Sequence, residues 1–125
     1  MTTDTFIEDI VVDHFRTVHE DTGYYRESEF GSTYAIVSAP LPIPGATGMS
    51  DTVWFKQSYI TVSCYSRQRA LARRLAADLT DSLTELTSGN EKIRSAVQVS
   101  SSDPLGPLDN EYFYSFIIKI NHNYS

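Results

Sequence analysis

Three histidines, one cysteine and a scatter of carboxylates are the groups in this 125-residue chain from which metal or acid–base chemistry could most readily be built. His14 and His19 stand five apart in a stretch with helical periodicity, which turns them to different faces, and His122 lies far away in sequence. Asp9 and Asp13, at i and i+4, could share a cation, but two carboxylates on a solvated helical face need no ligand. No phosphate loop, dinucleotide glycine signature or Gly-x-Ser-x-Gly elbow occurs, so the local motifs of nucleotide binding and serine hydrolysis are missing. Cys64 is the sole cysteine, which excludes an internal disulfide or a multi-cysteine zinc site and suits a reducing compartment. Its expected role is to fill core space. No catalytic, metal or cofactor site is therefore expected, and no enzymatic activity.

The charged residues follow a different pattern. Arg67, Arg69, Arg73 and Arg74 crowd the start of a predicted helix whose later part carries Asp78, Asp81 and Glu85. That order opposes the helix dipole at about 0.3–1 kcal/mol per terminal charge, which an Arg74–Asp78 pair would offset by only about 0.2–0.5 kcal/mol. The alternative is that these arginines meet carboxylates of an adjacent subunit, for example Glu20, Asp21, Glu27 and Glu29 in the acidic segment between Glu20 and Ser32. Leu41, Ile43 and Met49 are apolar residues in a proline- and glycine-rich segment predicted to be exposed, a pattern found in binding elements that order against a partner.

The elements that must carry these residues can be read from periodicity. Thr5-Phe6-Ile7-Glu8 fits a capping box, and Ile7, Ile10, Val11, Phe15 and Val18 then mark one face of a helix over about Asp4 to His19. Thr33 to Ala39 predicts a strand that Pro40, Pro42 and Pro44 end. From Pro40 to Ser50 the chain is too stiff and then too glycine-rich to join a sheet, which predicts a projecting hairpin arm at about 40–51. Thr52 to Tyr65 predicts a longer strand, with Ile60, Val62 and Cys64 on one side and Tyr59, Thr61, Ser63 and Tyr65 on the other. Leu71, Leu75, Leu79, Leu83 and Leu86 stripe a helix over about Arg67 to Thr87, capped by Ser66 and closed by a left-handed turn at Ser88-Gly89-Asn90. Two strands follow, Ile93 to Ser101 and Glu111 to Asn121, around a turn at Asp103-Pro104. The expectation is one α+β domain over residues 1–125: a four-stranded mixed sheet with two helices packed on one face, in the order α-β-β-α-β-β.

Composition bounds the partners. A formal charge of −6 opposes binding to a phosphate backbone, and no run of 18 apolar residues offers a membrane span. Met1 to Asp9 lacks the basic start and apolar run of a signal peptide, so cytosol-like surroundings are expected.

The strand-to-helix join Tyr59-Ile60-Thr61-Val62-Ser63-Cys64-Tyr65-Ser66-Arg67, followed by Ala70, Leu71 and Ala72, resembles the tail terminator proteins of long-tailed bacteriophages, with the lambda minor tail protein U group the nearest comparison. The likeness extends to the leading helix, the proline-rich connection and the late Asp-Pro turn before an aromatic strand. It implies a structural virion protein: a ring of six copies that caps the tail tube, halts its polymerisation and offers the surface on which the head docks. The partners implied are other copies of the chain, the tail tube protein and a head-completion or neck protein, with DNA passing through without specific binding. The place implied is the head-proximal end of the tail, reached from the host cytoplasm. A head-closure or neck adaptor of the same particle is the near alternative. From another class comes a small ligand-binding α/β domain, with Tyr24, Tyr25, Tyr59, Tyr65, Tyr112 and Tyr114 lining a pocket.

Overall fold

The structure is a computed structural model that describes residues 6–38, 43–47, 53–102 and 111–123. Its elements run α1 (Ile7–Val18), β1 (Thr22–Gly23), β2 (Tyr34–Ser38), β3 (Ile43–Thr47), β4 (Val53–Ser66), α2 (Arg69–Asp81), α3 (Leu83–Ser88), β5 (Ile93–Ser102) and β6 (Tyr112–His122). The fold is α+β with a mixed sheet. Strands lie in the order β1-β2-β4-β6-β5, and β3 pairs with the first part of β4 on the side that β2 occupies further along. All pairings are antiparallel except β1 with β2.

Alternation along the two central strands places the core. Ile60, Val62 and Cys64 of β4 sit beside Ile118, Phe116 and Tyr114 of β6 on one face, and all but Tyr114 join a single apolar cluster. Ile7, Val11, Val12 and Phe15 of α1, Leu75 and Leu79 of α2, and Leu83 and Leu86 of α3 complete that cluster, so the helices share one face of the sheet. Each buried side chain of this size contributes about 1.5–3 kcal/mol of transfer free energy, which is what holds helices and sheet together. The other face carries Tyr59, Thr61, Ser63 and Tyr65 with Ser115, Ile117 and Lys119. At one end of it Tyr34, Tyr65 and Phe113 lie side by side on three paired strands, with Phe30 stacked on Tyr34 and the Arg26 guanidinium 5.0 Å from the Tyr34 ring centre.

Several expectations need correction. Among the described residues the sheet has six strands, because Thr22–Gly23 forms a short parallel strand and Ile43–Thr47, in the segment expected not to join a sheet, pairs with β4. The arm is thus a hairpin whose strand follows β4 with two register shifts, and Pro44 is tolerated because β3 has an open outer side among the described residues. The long second helix is broken at Ser82, whose hydroxyl donates to Leu79 O at 2.7 Å and whose carbonyl accepts from His14 Nε2 at 2.8 Å. Leu71 is exposed, since the buried stripe of α2 is Ala72, Leu75 and Leu79. Phe6 is the residue that precedes α1, with no side-chain cap, while Thr5 lies outside the described residues. Gln68 likewise takes the N-cap position of α2, and Ser66 Oγ instead accepts the Gln68 N–H at 3.1 Å. Gly89 closes α3 with φ −85°, a right-handed conformation that requires no glycine. The Asp103-Pro104 turn lies outside the described residues.

Candidate functional site

The histidines serve the fold. His14 donates to the Ser82 carbonyl and His19 Nε2 donates to Thr33 O at 2.8 Å, so each ties α1 to a distant segment. Asp9 accepts the Tyr24 hydroxyl, and Asp13 makes a loose 4.0 Å contact with Arg16. Among the described residues no three of His, Cys, Asp or Glu come together as a metal site. Cys64 is buried, and that burial pushes its thiol up to about 12, so the reactive thiolate is scarce at neutral pH.

One pair has the look of a nucleophile and its base, and periodicity alone did not single it out. Ser58 Oγ and His122 Nε2 lie 2.7 Å apart, brought together by the register that sets Ser58 opposite Ile120 and Lys56 opposite His122. Ser58 is 1% exposed and His122 0%, so a substrate has no access to either. The pair satisfies buried polar groups at the end of the core. Both residues fall in phase with the apolar side of their strands, a signal available in the sequence once the two strands are aligned.

The charged surfaces are more informative. Arg69, Arg73 and Arg74 line an open groove of about 540 Å³ with Ala70, Ala77, Asp78 and Tyr114. The groove runs on past Arg73 and Tyr114 to Gln98 and Ser101 of β5. Arg67 is exposed just before α2 and is not part of the lining. Among the described residues none of the four arginines has an ion-pair partner, and the Arg74–Asp78 pair is not made. Arg69, in the first turn of α2, therefore opposes the helix dipole with no ion pair among the described residues, and Asp78 is the carboxylate that lines the same groove.

The acidic segment lies on the other side of the sheet. It leads into β1 and β2, and Gly23, Ile36, Ser63, Ser115 and Ser102 form one row of paired residues from that edge to β5. Four strand spacings of about 4.8 Å put about 19 Å between Gly23 and Ser102, the two ends of that row. The four acidic candidates divide. Asp21 Oδ2 accepts the Gly31 N–H at 3.0 Å and Glu29 accepts from Ser28 Oγ at 3.0 Å, whereas the Glu20 and Glu27 side chains make no hydrogen bond or ion pair among the described residues.

No family model matches the sequence, and no curated protein does.

Leu41 and Met49 lie outside the described residues, and Ile43 is placed by its backbone alone, opposite Gln57. Glu111 is a contact that sequence reading passed over: its carboxylate takes the Tyr34 hydroxyl at 2.8 Å and stands 3.7 Å from Arg26. Burial, then this acceptor, push the Tyr34 hydroxyl up to about 12 and keep its proton on. The cluster fixes the far end of the acidic segment against the sheet. The six tyrosines do not line a common pocket, for Tyr59 and Tyr65 face away from the helices while Tyr112 and Tyr114 face toward them, and Tyr24 and Tyr25 are exposed. Among the described residues no helix is long and apolar enough to cross a membrane.

Proposed function

We propose that this chain is a structural ring protein of a phage tail, a terminator that caps the tail tube, stops its growth and presents the surface to which the head docks. The observation that carries the ring is charge of both signs without an ion pair among the described residues: an arginine groove on α2 that opens past Arg73 toward Gln98 and Ser101 of β5, and the carboxylates Glu20 and Glu27 in the segment that leads into β1 and β2. Among the described residues neither surface forms an ion pair, and each is what a second copy offers. Such a contact is head-to-tail, and head-to-tail contacts close into rings when the rotation allows. Six copies, tail tube protein on one rim and a head-completion protein on the other are what the resemblance at Tyr59 to Arg67 adds. A net charge of −6 suits a passage through which DNA slides without sticking. No reaction is assigned to the protein.

Tails assembled without this protein test the terminator reading. Overlong tube polymers are expected, measured as a length distribution by electron microscopy. Tails of normal length that fail to join heads would instead identify a neck adaptor.

A further inference from the structure

The outer side of β5 is unpaired among the described residues, and apart from register shifts against β6 it lacks the usual guards of an exposed edge. Its ten residues, Ile-Arg-Ser-Ala-Val-Gln-Val-Ser-Ser-Ser, include no proline, no lysine and one charge, Arg94, and Val97 and Val99 are 51% and 48% exposed. Two register shifts against β6 are its only irregularity. An edge of this kind is a template for another strand.

The opposite edge offers a slot. Beyond the two residues of β1, Val37 and Ser38 of β2 have no partner on their outer side among the described residues. Pro44 guards the edge further along at β3, and a proline there disfavours two such edges pairing with each other. The rows of the sheet connect slot and template: Val37, Val62, Phe116 and Ser101 form one row, and Ser38, Thr61, Ile117 and Ser100 the next. Because β2 is antiparallel to β4, β4 to β6 and β6 to β5, a neighbour set side by side brings its β5 antiparallel to β2. That placement also turns the end of the groove where Arg73 and Ser101 share the lining toward the acidic segment of the next copy, so backbone and charge ask for the same arrangement.

We infer that the free edge of β5 in one copy pairs antiparallel with β2 of the next copy at Val37 and Ser38, so that the sheet continues across the subunit contact. The inference rests on the ring reading above and adds the backbone contact to it. Strand addition supplies affinity through main-chain hydrogen bonds, and the groove supplies orientation.

Disulfide trapping tests it. Ser38 and Ser100 are both exposed, and within one copy they are separated by three strand spacings, about 14 Å, too far for a bond that needs Cα atoms about 4.4–6.8 Å apart. Cys64 is buried and can stay. Mild oxidation of the double variant Ser38→Cys, Ser100→Cys should give a ladder of covalent multimers on a non-reducing gel, with each single variant remaining monomeric. If the double variant assembles by light scattering yet stays uncrosslinked, the sheet does not continue and the charge contact alone stands. Efficient dimers from Ser100→Cys alone would overturn the inference in favour of a two-fold β5 contact. Monomers at every concentration would remove both the inference and the ring.

Discussion

Phe116→Ala is expected to cost about 3–5 kcal/mol of folding free energy, while Ile117→Ala, one residue on, should cost about 1 kcal/mol or less. Phe116 is 2% exposed, points from β6 toward α2, and lies in the row that runs from Val37 through Val62 to Ser101. Its removal leaves a cavity beneath the helices that neighbouring strands cannot collapse to fill. Ile117 faces the other way and is only partly buried. Since a domain of this size has roughly 5–15 kcal/mol of stability, the first change consumes a large share and the second little. Urea unfolding of both variants measures the difference directly. Equal losses would mean that the two faces of β6 have been assigned wrongly.

The second large effect concerns assembly. Charge reversal in the groove, Arg69→Glu with Arg73→Glu, should weaken self-association by about 30-fold or more, the equivalent of about 2 kcal/mol for a charge pair desolvated at a contact. Adding Glu20→Arg and Glu27→Arg to the same chain should restore it, because the complementary surfaces are then exchanged. The folded copy itself should respond with the opposite sign. Arg69 opens α2, is exposed and has no ion pair among the described residues, so a glutamate there favours the helix by about 0.3–1 kcal/mol. Sedimentation and thermal unfolding on the same samples would separate the two effects. Loss of assembly with a falling melting temperature would point to damage of the fold instead of the contact.

Much of the fold was legible because the two central strands and the helices obey simple periods. Ile60, Val62 and Cys64 alternate with Tyr59, Thr61, Ser63 and Tyr65, and the pairing of β4 with β6 keeps that alternation without a shift. The break at Ser82 was not legible, since its carbonyl accepts from His14, 68 residues away, as well as from the local Glu85 and Leu86 N–H groups. Strand β3 was obscured by Pro44 within it and by Pro40 and Pro42 before it, which describe what the chain cannot do in the middle of a sheet but not at its edge. Strand β1 has two residues and no period to detect. Its place is fixed by its pairing to Ala35 and Ile36, and by the Ala35 N–H bonded to Asp21 O at 2.9 Å.

The candidate site was legible as residue types and not as a surface. The spacing of Arg69, Arg73 and Arg74 puts them near one another on a helix, but the wall that makes them a groove is Tyr114, which only the order of strands brings alongside. The acidic segment showed four carboxylates alike, and only contacts distinguish Asp21, spent on Gly31, from Glu20 and Glu27. That distinction is what leaves the last two as candidates for the proposed contact.

The central claim is that copies of this chain meet head-to-tail and close. Electron microscopy of the purified protein, with mass measured by light scattering over a range of concentrations, tests it most directly. Closed rings with a central opening, dissolving into single copies as salt is raised, are the expected result. Single copies at every concentration, even with tube protein added, or a two-fold dimer with no opening, would contradict it.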